Sequence, residues 1–116
     1  MTSSTLLDMK KAIEMVDGDP ALYKMLLNAF INEAPFHSDY LLGLLEKQNR
    51  DEAAKYIHRI KGASAQLGAE KLAAAGQTLE NVLRGKAEGD LDVLVDSFIS
   101  VYEETLPLLK EALGSL

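Results

Sequence analysis

His58 is the residue of this sequence whose type and surroundings best suit a chemical reaction. A neutral imidazole is both a nucleophile and a proton carrier near pH 7. The chain has two histidines, His37 and His58, and no cysteine, so thiol nucleophiles, disulfides and thiolate metal sites are excluded. The two histidines have no spacing typical of a metal site, so we expect no bound metal.

The segment around His58 has the pattern of an amphipathic helix that turns the histidine outward. At about 100° per residue one sector is apolar and predicts the core face, formed by Ala53, Tyr56, Ile57, Ile60, Ser64 and Leu67. His58 lies about 150° from the centre of that sector. Its neighbours on the outer face are Ala54, Lys55, Lys61, Gly62 and Ala65. We therefore expect an exposed imidazole among small and basic side chains.

Gly62 is unusual in the middle of a good helical sequence, because glycine there costs about 1 kcal/mol relative to alanine. Two explanations fit. Another molecule approaches closely beside His58, or Gly62 packs level with Gly76 of the following helix.

Glu80 is a candidate partner for the ring of His58. If segments 51–66 and 69–84 pair as an antiparallel hairpin about Gly68, His58 and Glu80 lie at heights of about 15 and 18 Å above the turn. A carboxylate there can accept a hydrogen bond from Nδ1, which leaves Nε2 as the nucleophile. The hairpin geometry therefore predicts a His58–Glu80 contact, with Gln77 one turn earlier.

Helical periodicity runs through nearly the whole chain, and no stretch alternates like a half-buried strand. The capping and breaking residues predict helices at about 6–16, 20–34, 36–47, 51–66, 69–84 and from 91 onward. Pro35 should break the chain, and Pro107 should bend the last helix or end its regular part. Short connections favour antiparallel neighbours. We predict an all-α fold, an up-and-down antiparallel four-helix bundle with an additional short N-terminal helix, forming one domain over residues 1–116.

The apolar spacing also predicts which side chains of the earlier helices face the core. The predicted inward residues are Leu22, Met25, Leu26, Ala29 and Phe30 in the second helix, and Tyr40, Leu41, Leu44 and Leu45 in the third. Met9, Met15 and Met25 are expected to fill gaps in the core.

Charge restricts the classes of partner. The net charge of −6 argues against binding to nucleic acid or to anionic membranes. No segment approaches the roughly 20 apolar residues needed to span a bilayer, and no targeting sequence is evident, so we expect a cytoplasmic protein. Residues 47–71 are nevertheless basic, with six Lys or Arg against three Asp or Glu. This patch suits a partner with an acidic pocket, although an ordinary solvated helix face explains it equally well.

The sequence around the histidine closely resembles the signature of histidine phosphotransfer domains of bacterial and fungal phosphorelays. The matching pattern is His58-x-x-Lys61-Gly62-x-Ser64-x-x-x-Gly68, with apolar residues at Ile57, Ile60 and Leu67. The flanking helices are similar as well, including the break at Pro35 and the pair Leu79-Glu80, so the resemblance covers about residues 20–110.

The resemblance implies that Nε2 of His58 accepts a phosphoryl group from a receiver-domain aspartate and returns it to another receiver. Lys61 would balance phosphate charge, Gly62 would leave room for it, and Glu80, or less strongly Gln77, would orient the ring. Ala54, Lys55, Arg59 and Ala65 would contact the partner, a response-regulator receiver or a hybrid histidine kinase. No cofactor is expected on this chain, because the Mg²⁺ would belong to the receiver. We expect a monomer.

Two other interpretations stay open at this stage. The phosphoacceptor domain of a chemotaxis-type histidine kinase shares the bundle and motif, and an adaptor bundle without chemistry could retain the fold. A sensor-kinase dimerisation domain fits less well, because Arg59 rather than an acidic residue follows His58. No glycine-rich nucleotide site is present in the sequence, so we expect no autokinase activity.

Overall fold

The protein is described by a computed structural model over residues 5–116, and this part of the chain contains helices, turns and loops but no strand. Its helices are α1 (Met9–Met15), α2 (Pro20–Asn28), a π-helical segment (Ala29–Glu33), α3 (Ser38–Glu46), α4 (Arg50–Leu67), α5 (Glu70–Leu83) and α6 (Leu91–Ser115). The predicted all-α class and helical bundle with a short N-terminal helix are confirmed. None of the helices within residues 5–116 combines the length and the apolar character needed to cross a membrane.

The hairpin of α4 and α5 is the centre of the bundle. Gly68 ends α4 in the left-handed region at φ 80°, which glycine adopts without strain, and α5 begins two residues later. At the other side of the hairpin α5 packs against α6. The shared core contains Ile57, Ile60 and Leu67 of α4, Leu72 and Leu79 of α5, and Phe98 and Leu109 of α6.

The first helix begins at Met9, later than the predicted residue 6. Asp8 caps it, because its side chain accepts a hydrogen bond from the Lys11 amide. The Asp8 amide donates to the Gly68 carbonyl at 2.8 Å, and the Lys71 amide donates to the Thr5 carbonyl at 2.9 Å. Residues 5–8 are therefore bound to the α4–α5 turn, and their backbone is not available for a helical turn.

The second helix begins as predicted, with Asp19 as cap and Pro20 at its first position, but the predicted buried stripe is wrong by one residue. Tyr23 and Leu27 are buried, whereas Leu22 and Met25 are 40% and 67% exposed. The Tyr23 hydroxyl donates to the Leu67 carbonyl at 2.7 Å, which fixes the rotation of α2 about its axis. Phe30 is buried as predicted.

Other expectations about packing also fail. Tyr40 is 51% exposed and packs edge-on against Tyr56 instead of pointing inward. Met15, 59% exposed, fills no core gap, and neither does Met25. The chain leaves its helical path before Pro35, as predicted, but α6 continues through Pro107 to its end. Pro107 lies on the exposed side of α6, where water can bind the carbonyl that loses its partner.

Candidate functional site

His58 lies near the middle of α4 and points away from the core. Its neighbours Ile57 and Ile60 are fully buried, whereas 62% of the His58 side chain is exposed. The outward orientation predicted from helical spacing is present. A partner molecule can therefore reach the ring without any rearrangement of the bundle.

Glu80 of α5 contacts the ring across the hairpin. Nδ1 of His58 lies 3.2 Å from Oε1 and 3.1 Å from Oε2 of Glu80. The predicted proximity of the two residues is present, but the Glu80 side chain is more enclosed than its expected place at the edge of the stripe, with only 7% exposed. Its packing against α4 holds the carboxylate in one place beneath the ring.

Two cations bind the same carboxylate. Lys61 Nζ lies 2.9 Å from Oε1, and Arg84 Nε lies 2.8 Å from Oε2. Burial by itself raises the pKa of Glu80, but the hydrogen bonds from Lys61, Arg84 and His58 outweigh it and lower the pKa to about 2. Glu80 is therefore ionised at neutral pH and can only accept hydrogen bonds.

An ionised Glu80 determines the protonation of the neutral His58 ring. Because the carboxylate only accepts, the hydrogen bond requires the proton on Nδ1, which then donates to Glu80. The lone pair is left on Nε2, the nitrogen farther from Glu80. This arrangement presents a nucleophilic nitrogen on an exposed ring.

Lys61 is fixed by a second contact. Its Nζ donates to Oε1 of Gln77 at 2.9 Å, and Nε2 of Gln77 donates to Oδ1 of Asn81 at 2.9 Å. The amide of Gln77 therefore binds Lys61 and Asn81 rather than the His58 ring, and its hydrogen bond positions Lys61. The Lys61 side chain is only 19% exposed, because α5 approaches closely at Gly76, where an added Cβ would meet the Lys61 Cβ at 3.1 Å.

The structure contradicts one of the two explanations for Gly62, the packing against Gly76. A Cβ added at Gly62 has no neighbour within 4 Å, so the glycine is not required by helix packing. Gly76 faces Lys61 and not Gly62. The space beside Gly62 on the outer face of α4 is open to an approaching molecule.

The four predicted docking residues differ in their accessibility. Ala54 is fully buried in the hydrophobic core, which contradicts its assignment to a contact surface. Lys55 forms ion pairs with Asp51 and Glu52 on its own helix. Ala65 is exposed.

Arg59, the fourth of these residues, binds within the protein. Its Nη1 donates to the Ala34 carbonyl at 3.2 Å, and its guanidinium lies 5.3 Å from the centre of the Tyr56 ring. The main role that the structure shows for Arg59 is to attach the corner before α3 to α4.

Arg84 is the residue at this site that sequence reasoning missed. Arg84 is the C-terminal cap of α5, where a positive charge interacts favourably with the helix dipole. Gly85 follows in the left-handed region at φ 74° and directs the chain away from the helix axis. Arg84 follows Glu80 by four residues, a spacing that allows an ion pair on a helix and that could have indicated this contact. Arg84 also lines an open pocket beside the ring, together with Asp51, Ala54, His58, Glu80, Leu83 and Lys86.

Within residues 5–116, no three His, Cys, Asp or Glu side chains converge as they would to hold a metal ion. The comparison with protein families identifies one match: a family model described as Hpt domain covers residues 25–116. This range contains α3 to α6 in full and every residue of the His58 site. No curated protein and no solved structure matches the chain significantly.

Proposed function

Because the chain belongs to the Hpt domain family, which carries phosphoryl groups on histidine in two-component signalling, we propose that His58 is its phosphoacceptor. In this proposal His58 accepts the phosphoryl group from the aspartate of a receiver domain and passes it to another receiver. The observation that carries the proposal is the contact between Nδ1 of an exposed His58 and the buried carboxylate of Glu80.

The transfer step follows from the protonation of the ring. The Nε2 lone pair attacks the phosphorus of the aspartyl phosphate, an N–P bond forms, and the P–O bond to aspartate breaks. The electron pair of that bond leaves with the aspartate as a carboxylate. Nδ1 keeps its proton, so the ring becomes cationic, and the negative charge of Glu80 stabilises it. The return step is the reverse.

Charge compensation for the phosphoryl group comes from both partners in this proposal. Lys61 is within reach of the ring, since its Nζ and the His58 Nδ1 share the Oε1 of Glu80 at 2.9 and 3.2 Å. The open space beside Gly62 gives the phosphoryl group and the receiver room to approach. Mg²⁺, which neutralises charge in phosphoryl transfer, would be held by the receiver.

The receiver docks, in our proposal, over α4 and the exposed apolar side chains of the N-terminal helices. Tyr23 contacts Leu67 and Ala34 contacts Arg59, so α2 and the following segment run antiparallel to α4 and border its outer face. Met25 is the most exposed large apolar residue on this border. Apolar surface of this kind supplies binding energy that the exposed charges do not.

The test is transfer from a radiolabelled phosphorylated receiver domain with Mg²⁺. The expected product is acid-labile, base-stable phosphohistidine on the wild-type protein and on His37→Gln, and none on His58→Gln. His37 is the matched control because it is the other histidine and is exposed. Full labelling of His58→Gln would contradict the proposal.

Incubation with ATP alone separates the relay from a kinase. Since Hpt domains are phosphotransfer intermediates, the protein should acquire no label from ATP without an added kinase. Labelling from ATP that requires His58 would mean that the protein phosphorylates itself, and the relay assignment would then be wrong.

A further inference from the structure

The ion cluster under His58 contains one more cation than Glu80 needs. Lys61 and Arg84 carry two positive charges against the single negative charge of the carboxylate. Each cation has its own oxygen, Lys61 on Oε1 and Arg84 on Oε2. Lys61 alone would only neutralise Glu80, so the excess positive charge beside the ring is due to Arg84.

Because a phosphoryl group on Nε2 would lie on the side of the ring away from Glu80, a lysine that turns toward it weakens or loses its contact with Glu80. A buried carboxylate that loses its cation without replacement is strongly destabilised. Glu80 is such a carboxylate, with 7% of its side chain exposed. Lys61 can therefore move to the phosphoryl group only if other donors keep both oxygens of Glu80 satisfied.

The geometry provides those donors. Nδ1 of His58 lies 3.2 Å from Oε1, so the Nδ1–H of a phosphorylated, cationic ring can bind the oxygen that Lys61 vacates. Arg84 remains on Oε2 at 2.8 Å. Lys61 keeps Gln77 as a second anchor, at 2.9 Å, close to the ring.

Resting on the proposed role of His58, we propose that Arg84 is a positioning residue that keeps Glu80 neutralised while Lys61 moves to the phosphoryl group. Arg84 is then required in one state of the protein and not in the other. In the unphosphorylated protein the charge of Lys61 by itself would neutralise Glu80, and in the phosphorylated protein Arg84 stays on Oε2 while the His58 ring binds Oε1.

The experiment compares Arg84→Gln with wild type in both states. Lys71→Gln is the control, because it also removes one positive charge from α5 but at the opposite end from Arg84. Nitrogen-15 NMR of the unphosphorylated ring should give the same Nδ1–H tautomer in all three proteins. The equilibrium constant for phosphorylation by a phosphorylated receiver should fall about tenfold in Arg84→Gln, the effect of one charge-assisted hydrogen bond. Arg84→Lys keeps the positive charge, so its equilibrium constant for phosphorylation should be close to that of wild type.

A double-mutant cycle tests the coupling to Lys61. If Arg84 acts by releasing Lys61, Arg84→Gln in a Lys61→Gln background should lower the equilibrium constant by less than about threefold. Equal effects in both backgrounds would overturn the proposal. So would a changed tautomer in unphosphorylated Arg84→Gln, or a phosphorylation equilibrium equal to that of Lys71→Gln.

Wild-type protein that accepts no phosphoryl group from any receiver would overturn the proposed function and this inference together. In that case the Arg84 and Lys71 variants need not be compared. If wild type is phosphorylated but Arg84→Gln behaves like Lys71→Gln, only the inference about Arg84 fails. Failure of the inference and failure of the proposed function are therefore distinguishable.

Discussion

Nδ1 of His58 lies 3.1 Å from Oε2 and 3.2 Å from Oε1 of Glu80, so one side chain of α5 orients an exposed ring on α4. Glu80 does so from an enclosed position with two cations attached to it. The contact joins the solvent-exposed ring of His58 to an enclosed carboxylate of the helix hairpin. Most of the expected behaviour of this protein follows from it.

Substitution of Glu80 should affect transfer according to whether the new side chain accepts a hydrogen bond. Leucine cannot accept from Nδ1, and the loss of a hydrogen bond to a charged group, about 1.5–3 kcal/mol, should lower the transfer rate about 10- to 100-fold. Glutamine keeps an acceptor oxygen but loses the negative charge that stabilises the cationic ring, so Glu80→Gln should lower the rate less than Glu80→Leu does. Transfer kinetics with a phosphorylated receiver give the comparison, and equal rates for the two variants would show that the acceptor has no role.

The stability of the protein should depend on pH through Glu80. The pKa of Glu80 is about 2 in the folded protein, below its ordinary value of 4.5, so the ionised group stabilises the fold above pH 4.5. This contribution, on the order of 3 kcal/mol, is lost as the pH falls from 4.5 to 2. Urea unfolding should therefore show wild type and Glu80→Gln differing most above pH 4.5 and converging toward pH 2. A difference that is constant over this range would contradict the ion cluster.

Gly62 should tolerate a methyl group in the fold but not a large side chain in the complex. Because an added Cβ meets no atom within 4 Å, Gly62→Ala should stabilise the helix by about 0.5–1 kcal/mol. Gly62→Leu should keep the helix content and lower transfer, since its side chain occupies the space beside His58. Circular dichroism and transfer assays separate the two effects. Unfolding of Gly62→Leu would instead mean that Gly62 is required for packing.

Gly68 should be far less tolerant than Gly62. It has φ 80°, and an added Cβ would collide with the carbonyl oxygen of Asp8. The left-handed conformation alone costs a non-glycine residue about 1–2 kcal/mol, so Gly68→Ala should lower the free energy of unfolding by at least about 2 kcal/mol. Gly85→Ala, with a similar φ but open space around the Cβ, is the control and should cost less. An equal loss of unfolding free energy in both variants would show that the collision with Asp8 does not contribute to the effect.

The docking surface can be tested with two equally exposed apolar residues. Met25 is 67% exposed on α2, the helix that Tyr23 attaches to α4, whereas Val93, 60% exposed, lies at the start of α6. Burying a methionine contributes about 1.5–3 kcal/mol, so Met25→Asp should weaken receiver binding about tenfold or more. Val93→Asp should leave the affinity unchanged, as measured by calorimetry. The reverse result would place the receiver at the α6 end of the bundle.

The sequence predicted the helices well because their signals are local. Asp19 and Pro20 begin α2, Asp90 caps α6 and Gly68 ends α4, each through an interaction with a nearby backbone group. The outward orientation of His58 needed only helical periodicity on a long helix. The start of α1 could not be predicted in this way, because Asp8 and Thr5 bind the distant α4–α5 turn.

The rotation of a short helix was beyond local prediction. Leu22 and Met25 have the spacing of a buried stripe, yet the hydrogen bond from Tyr23 to Leu67 turns α2 by one residue and exposes them. The burial of Ala54 is beyond local prediction for a similar reason, because it depends on how the other helices pack against α4.

The sequence by itself determined that His58 stands on an outer helix face with Lys61 and Gly62 beside it, because helical spacing and residue type suffice for that. Only the tertiary structure decided that Glu80 is ionised and shared among His58, Lys61 and Arg84. Three side chains, from α4 and from the end of α5, must meet at the carboxylate of Glu80, and their distances depend on how α4 and α5 pack. The position of the proton on the neutral ring, and with it the proposed role of Nε2 as nucleophile, therefore depends on the hairpin and not on the motif alone.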